Sequence, residues 1–319
     1  MKNIYICEPN CRIHKNGEYL TVRKHTGKLS DVSLIDVRTI ILLGNIQITM
    51  QAVSLLMERG IDILLLSSGG RLKGRVASEH GKNILMRIAQ YDIWFQEEKR
   101  MEIAKSIVKQ KIMNQKKCLN SYRYRRKISK LKEIEKMLTW YIQKIDEVKS
   151  IGELMGIEGS AAARYFECFP LLLKEYDFQK RVRRPAYDPI NALLNLTYTF
   201  LKNEISTILS SYSFDVQLGF LHNIRSGRDS LALDFMEPYR PIFADRFVIS
   251  LLSRKIIKKE EFELDEDGMK LNAEAMKRYC VLFQENLYET AYEGKIWKRR
   301  MEEDVLMFRK ELMMLCEHT

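Results

Sequence analysis

The hydrophobic period of this 319-residue chain changes once, near position 80, and that change is what most constrains its fold. Before it, apolar residues alternate or run in short blocks. Residues 4–7 read as a short strand and residues 13–22 as a hairpin around Asn16-Gly17. Residues 37–43 form a continuous apolar run, Thr49 is placed to cap a helix through Glu58, and residues 61–66 read as a buried strand ending at Ser67-Ser68-Gly69-Gly70. No GxxxxGK[ST] or GxGxxG follows a strand, so the glycine pair is read as a turn and not as a phosphate cradle. After position 80, Ile84, Ile88, Tyr91 and Phe95 fall on one helical face. Long helices are predicted over 83–117 and 124–148, and Asp188-Pro189 supplies an N-cap and first-turn proline for another running toward Ser210. The expected fold class is α+β in two domains, a small β-rich N-terminal domain over residues 1–80 and a larger all-α domain over residues 81–319.

No apolar stretch approaches the roughly 18 residues that a membrane span requires, and residues 1–6 enter an alternating pattern without an h-region or cleavage site. The expectation is a cytoplasmic protein with no membrane partner. The six cysteines are scattered and include no CxxC, which points to reduced thiols; Cys7 and Cys11 flank a short turn and read as strand neighbours before they read as half a zinc site.

A net charge of +11, from 53 Lys and Arg against 42 Asp and Glu, calls for a polyanionic partner or a solubility explanation. The excess is local. Between residues 99 and 132 there are thirteen Lys and Arg and a single acid, Glu102. A solvated helix face accounts for such a run as readily as nucleic acid does. The cluster Tyr122-Arg123-Tyr124-Arg125-Arg126-Lys127 tilts the choice, because aromatic and guanidinium planes stack on bases while cations neutralise phosphates. Arg181, Arg183 and Arg184, just before Pro185, have the same character.

Among five histidines, His222 stands apart, closing the apolar stretch 216–222 before a polar loop. Asp229 or Ser230 is placed to start a helix that puts Asp234 and Glu237 three apart on one face, and Pro238 should kink or end it. Glu158, within the small-residue run Gly156-Ile157-Glu158-Gly159-Ser160-Ala161-Ala162-Ala163, should lie near the N-terminal end of a closely packed helix. An imidazole with two carboxylates is a competent divalent-metal set that suits Mn2+ at least as well as Mg2+. Spacing alone carries no geometry over such separations, and a core or capping histidine with helix-surface acids accounts for these residues more simply.

Four ordered motifs change that weighting: 158–166, then Arg184-Pro185 with 188–195, then Gly219-Phe220-Leu221-His222, then 231–241. Together they resemble the CRISPR-associated adaptation endonuclease, or spacer integrase, family. Residues 44–49 and 59–63 with Gly74-Arg75 resemble that family's small β domain. The resemblance implies a β-rich N-terminal domain for dimerisation and DNA contact and a helical, metal-dependent catalytic domain. It implies Glu158, His222 and Glu237 as ligands of Mg2+ or Mn2+, with Asp234 as an accessory acid and Arg240 as a phosphate contact. DNA-binding residues are expected at Arg123, Arg125, Arg126, Lys127, Arg183, Arg184 and Arg240; Tyr165 and Asn191 belong to the motifs without a role separable from packing. Implied partners are double-stranded DNA (prespacer and CRISPR repeat), a second copy as homodimer, and a small CRISPR adaptation protein bridging two dimers. The implied reaction is phosphodiester transesterification that inserts short foreign DNA at a CRISPR repeat, with nuclease activity when water is the nucleophile. A non-catalytic basic DNA-binding scaffold and a general branched-DNA repair nuclease are the alternatives.

Overall fold

The computed structural model describes residues 2–77, 83–183 and 185–316, without the side chains of residues 125 and 126. Two compact units divide the chain: Met1–Gly81 with Leu271–Glu285, and Lys82–Lys270 with Asn286–Thr319. The class is α+β, with a β-sheet region over residues 2–76 followed by a mainly helical region.

In the first unit the strands are β1 (Lys2–Ile6), β2 (Arg12–Asn16), β3 (Tyr19–Lys24), β4 (Gly27–Ser33), β5 (Val37–Leu43) and β6 (Gln47–Ile48), then helix α1 (Met50–Glu58), β7 (Asp62–Leu66) and β8 (Leu72–Val76). They form two four-stranded sheets, ordered β1-β5-β7-β8 and β4-β3-β2-β6. β5 pairs in parallel with both β1 and β7 and is buried along almost its whole length, which is why it reads as a continuous apolar run. The hairpin falls where Asn16-Gly17 places it: Asn16 pairs with Tyr19, and Gly17 takes φ +57°, which a side chain resists. Thr49 caps α1 by accepting from the Ala52 N–H at 3.4 Å. Ile13, Leu20, Val22, Ile40, Leu42, Leu56 and Ile63 share one core. Six free thiols are present, and Cys7 Sγ lies 3.1 Å from Cys280 Sγ, a neighbour that sequence spacing does not reveal.

The second unit continues with α2 (Ile84–Phe95), α3 (Glu97–Arg126), α4 (Lys130–Lys144), α5 (Ile151–Phe166), α6 (Phe169–Leu172), α7 (Pro189–Ser211), α8 (Ser230–Met236), a π-helical segment (Arg240–Asp245) and α9 (Arg246–Ser253). After β9 (Phe262–Asp265) and β10 (Gly268–Leu271) comes α10 (Ala273–Tyr288), which as far as Glu285 belongs to the first unit; β11 (Ala291–Tyr292), β12 (Lys295–Ile296) and α11 (Trp297–Leu315) complete the second. The predicted helix 83–117 is two helices, broken where Gln96 turns extended (φ −89°, ψ 98°) and Glu97 and Glu98 open a new first turn. The predicted helix 124–148 begins only at Lys130, because Lys127 adopts the left-handed conformation and ends α3. Asp188 caps α7 as its sequence implies, accepting from the Asn191 N–H at 2.8 Å. Most of α7 is buried, so it forms the spine against which α8, α9, α11 and the π-helical segment pack. α3, about 45 Å long at 1.5 Å per residue, packs on α2, α4, α5 and the π-helical segment. Among the described residues, no helix is long and apolar enough to cross a membrane.

Candidate active site

All of the site's described side chains come from the second unit. Asp229 stands at the N-cap position of α8 with its side chain turned to Lys202 (2.9 Å), and after the helix ends at Met236 the chain tightens: the Glu237 N–H donates to Asp234 O (3.2 Å) and the Arg240 N–H to Glu237 O (3.3 Å). Asp234, Glu237 and Arg240 therefore follow one another at single-turn spacing. Pro238 and Pro241 lack N–H donors and help turn the backbone into the π-helical segment, a form that recurs at functional sites. Glu158 sits mid-way along α5, which starts seven residues earlier at a Ser150 cap; the expectation of an N-terminal position is corrected by that upstream cap.

Asp234 is fully buried and accepts four hydrogen bonds. The main-chain N–H groups of Phe220 (2.6 Å) and Leu221 (2.9 Å) reach Oδ2, while the N–H of His222 (3.0 Å) and its ring Nδ1 (2.6 Å) reach Oδ1. A carboxylate with that many donors tolerates burial. Because an ionised carboxylate only accepts, Nδ1 carries the proton and Nε2 keeps its lone pair, facing Glu237 Oε1 at 4.0 Å. Gly219 is required for this arrangement: a Cβ there would stand 2.8 Å from Asp234 Oδ2 and 2.8 Å from the Ser230 carbonyl carbon. The 215–222 loop is held by the break between α2 and α3. Gln90 bonds to Asp215 O and Leu218 O, Trp94 Nε1 donates to Gly219 O (2.9 Å) and Arg100 Nε to Phe220 O (3.1 Å).

The second half of the site is a cation that the sequence did not single out. Lys111, in the middle of α3 and 4% exposed, donates from Nζ to both Glu158 Oε1 and Glu237 Oε2. Arg240 reaches the other oxygen of Glu237 at 3.1 Å and lies over the Tyr198 ring at 4.6 Å. Burial works to raise the Glu237 carboxyl, but the charges of Arg240 and Lys111, with the hydrogen bond from Lys111, outweigh it and hold the group well below the usual carboxylate range. The Arg240 guanidinium, which burial opposes, is kept charged chiefly by Glu237. Among the described residues no three His, Cys, Asp or Glu side chains gather tightly enough to hold a metal as they stand. The donor set nevertheless fits one: two carboxylates already converge on a single buried positive charge, with an imidazole lone pair beside them.

Around this centre, Asn191 clamps the chain before α7. Its side chain accepts from Val182 N–H (2.9 Å) and Arg181 Nη1 (2.8 Å) and donates to Lys180 O (2.8 Å) and Asp188 (2.7 Å). Arg181 also reaches Asn195 Oδ1 (2.7 Å) and lies over Tyr198. Burial and the charges of Arg240 and Arg183 push the Arg181 guanidinium down, and burial with Arg225 and Arg183 does the same to Arg228. Arg181 and Arg228 thus each lie in the field of neighbouring arginines, Arg183 and Arg240 being common to both. Tyr198 donates to Asp245 at 2.5 Å, and burial pushes the Asp245 carboxyl up to about 6. Tyr165 is fully buried, its hydroxyl 3.3 Å from Cys118 Sγ, in the packing position of a core aromatic.

Glu158, His222, Asp234, Glu237 and Arg240 are thereby brought into one cluster. Arg123 is not among them: it lies ~18 Å along α3 from Lys111, paired with Glu135 at 2.7 Å and over the Tyr124 ring. Lys127 is exposed at the end of α3. The side chains of Arg125 and Arg126, and Arg184 as a whole, lie outside the described residues.

With this geometry in view, residues 4–285 match the family described as CRISPR associated protein Cas1. The chain belongs to the Cas1 family. A CRISPR-associated endonuclease Cas1 from Thermus thermophilus is 31% identical over 313 residues, covering 97% of this chain and 92% of that protein. A Cas4 exonuclease/Cas1 endonuclease fusion from Geobacter sulfurreducens is 30% identical over 312 residues, covering 95% of this chain. The chain spans 53% of that fusion's length. Among solved structures, a casposase bound to integration product superposes with a TM-score of 0.86 at 26% identity, over 99% of this chain and 92% of that one. A Cas6-RT-Cas1–Cas2 complex superposes with a TM-score of 0.87 at 27% identity, over 98% of this chain and 35% of that one. This Cas1-family chain therefore carries its acid, imidazole and guanidinium cluster on a scaffold shared with a casposase bound to integration product and with a Cas6-RT-Cas1–Cas2 complex.

Proposed function

We propose that this chain is a CRISPR adaptation integrase and endonuclease that joins short foreign DNA to the edge of a CRISPR repeat by metal-dependent transesterification. The carrying observation is the convergence of Glu158 and Glu237 on one buried cation, with His222 Nε2 4.0 Å from Glu237. Glu158, Glu237 and His222 would hold Mg2+ or Mn2+, which when bound neutralises charge on the scissile phosphate and eases deprotonation of the attacking 3′-hydroxyl. Asp234 fixes the ring of His222 and its proton on Nδ1, so that Nε2 is the ligating atom. Arg240 has a buried Nε without a partner among the described groups, a donor suited to a phosphate oxygen.

The charges of Arg225 and Arg183 both act on Arg228, and cations gathered in this way support DNA backbone as their ligand. Because one phosphodiester bond replaces another, holding two DNA ends in register is the larger demand on the protein. That demand, with the neighbouring Cas1–Cas2 complex, supports a working assembly of homodimers bridged by a small adaptation partner, acting in the cytoplasm where repeat DNA lies. Within it the N-terminal domain would serve dimerisation and DNA contact, and Arg123, Arg125, Arg126, Lys127 and Arg184 would extend the DNA-binding surface.

Strand transfer of a labelled prespacer into a repeat-bearing plasmid tests the reading. Wild type with the small partner should give a covalent product that Glu237→Ala does not, with DNA binding retained. Binding without any covalent product would favour a scaffold, and cutting without joining a repair nuclease.

A further inference from the structure

We propose that Lys111 is a built-in counter-cation that Glu158 and Glu237 exchange for the divalent metal, so that the ion enters by displacing an ammonium and not by filling an open site. This rests on the reading of Glu158 and Glu237 as metal ligands. Lys111 occupies a position where α3 otherwise buries apolar or uncharged groups: Ala104, Val108, Ile112, Gln115, Cys118 and Leu119 are buried on the same helix. An ammonium in such a stripe is costly unless paired, and Lys111 is paired twice. Its place is fixed one turn further on, where Asn114 Nδ2 donates to Pro238 O at 2.7 Å and ties α3 to the segment that carries Glu237.

The oxygens it takes are informative. Lys111 holds Glu158 Oε1 and Glu237 Oε2, while Glu237 Oε1 is left to Arg240 and faces His222. With the lysine in place, Glu158 and Glu237 are matched by the two cations that contact them, Lys111 and Arg240, while Asp234 is taken up by the N–H groups of 220–222 and the His222 ring. A divalent ion added to that set leaves a surplus of positive charge, and the displaced ammonium remains tethered beside it. A DNA phosphate takes up both. Metal loading is therefore weak without DNA and strengthened by it, with Lys111 acting as a positioning residue that couples the two events.

Mn2+ binding followed by electron paramagnetic resonance on the full-length protein, with and without a DNA duplex, tests this. Lys111→Met removes the competing charge at similar length. It should bind Mn2+ at least about tenfold more tightly than wild type without DNA, and gain less from added duplex. In chelator it should unfold at a lower temperature than wild type and recover on Mn2+ addition, because two buried carboxylates then lack a counter-charge. Should it not fold in chelator, it is prepared with Mn2+ throughout, and Lys111→Arg, which keeps the charge, should bind Mn2+ no more tightly than wild type. Equal Mn2+ affinity in wild type and Lys111→Met, with binding lost in Glu237→Gln, overturns the exchange and leaves the ligand assignment standing. Equal affinity in all three proteins overturns both.

Discussion

Asp234 Oδ1 accepts from the main-chain N–H of His222 at 3.0 Å and from Nδ1 of the same residue's ring at 2.6 Å, so one buried carboxylate fixes both the backbone and the imidazole of a single residue. Its other oxygen takes the two preceding N–H groups, and His222 cannot turn without breaking the loop.

Asp234→Asn tests that relationship. Whichever way the amide sits, an NH2 group faces donors that a carboxylate oxygen satisfied. Strand joining should fall about 10–100-fold through the disoriented ligand, and stability by about 1–3 kcal/mol. Initial rates of strand transfer and urea denaturation read the two effects separately.

Gly219→Ala should destabilise by about 1–3 kcal/mol, because the new Cβ would stand 2.8 Å from Ser230 backbone that cannot move aside. Gly156→Ala is the contrast: mid-helix in α5, with nothing within 4 Å of a Cβ, it should gain about 0.5–1 kcal/mol. Urea midpoints of the two variants should shift in opposite directions.

Three elements of the fold are legible from local chemistry alone: the Asn16-Gly17 hairpin, the Thr49 cap of α1 and the Asp188-Pro189 start of α7. Each is decided by residues a few positions apart. The break at Gln96 is not, because neither glycine nor proline marks it; it is bought by Trp94 and Arg100, which reach the 215–222 loop more than a hundred positions away. Glu158, His222 and Glu237 are nameable from motif resemblance, but their geometry is not, since spacing along the chain says nothing of which side chains meet. Lys111 is hidden among the thirteen cations of residues 99–132, where a buried lysine and a solvated one look alike. The Asn191 clamp is likewise invisible until the backbone of 180–182 folds over it.

The stability of the second unit should carry a pH dependence from Asp245. Its carboxyl is raised to about 6 in the folded protein against 3.8 for the ordinary group, chiefly by burial. Between those values the folded state holds the proton that the unfolded state has lost, so this residue's contribution falls as pH rises from about 4 to 6 and is level above. The unfolding free energy of wild type minus that of Asp245→Asn should decline across this window, by up to ~3 kcal/mol. A flat difference would show that Asp245 titrates normally.

Arg183→Gln should weaken DNA binding without regard to sequence and lower the slope of log affinity against log salt by about one. Arg183 is exposed, and its charge is felt by Arg181 and Arg228. Fluorescence anisotropy of a labelled duplex over a salt series reads the slope, and stability should change little.

The most direct test of the site is anomalous diffraction from crystals of the full-length protein grown with Mn2+ and a DNA end. The account predicts one manganese peak bounded by Glu158, Glu237 and His222 Nε2, at about 2.0–2.3 Å from its ligating atoms, with the Lys111 ammonium moved off both carboxylates. A manganese bound elsewhere, with Lys111 still bridging Glu158 and Glu237, would contradict it.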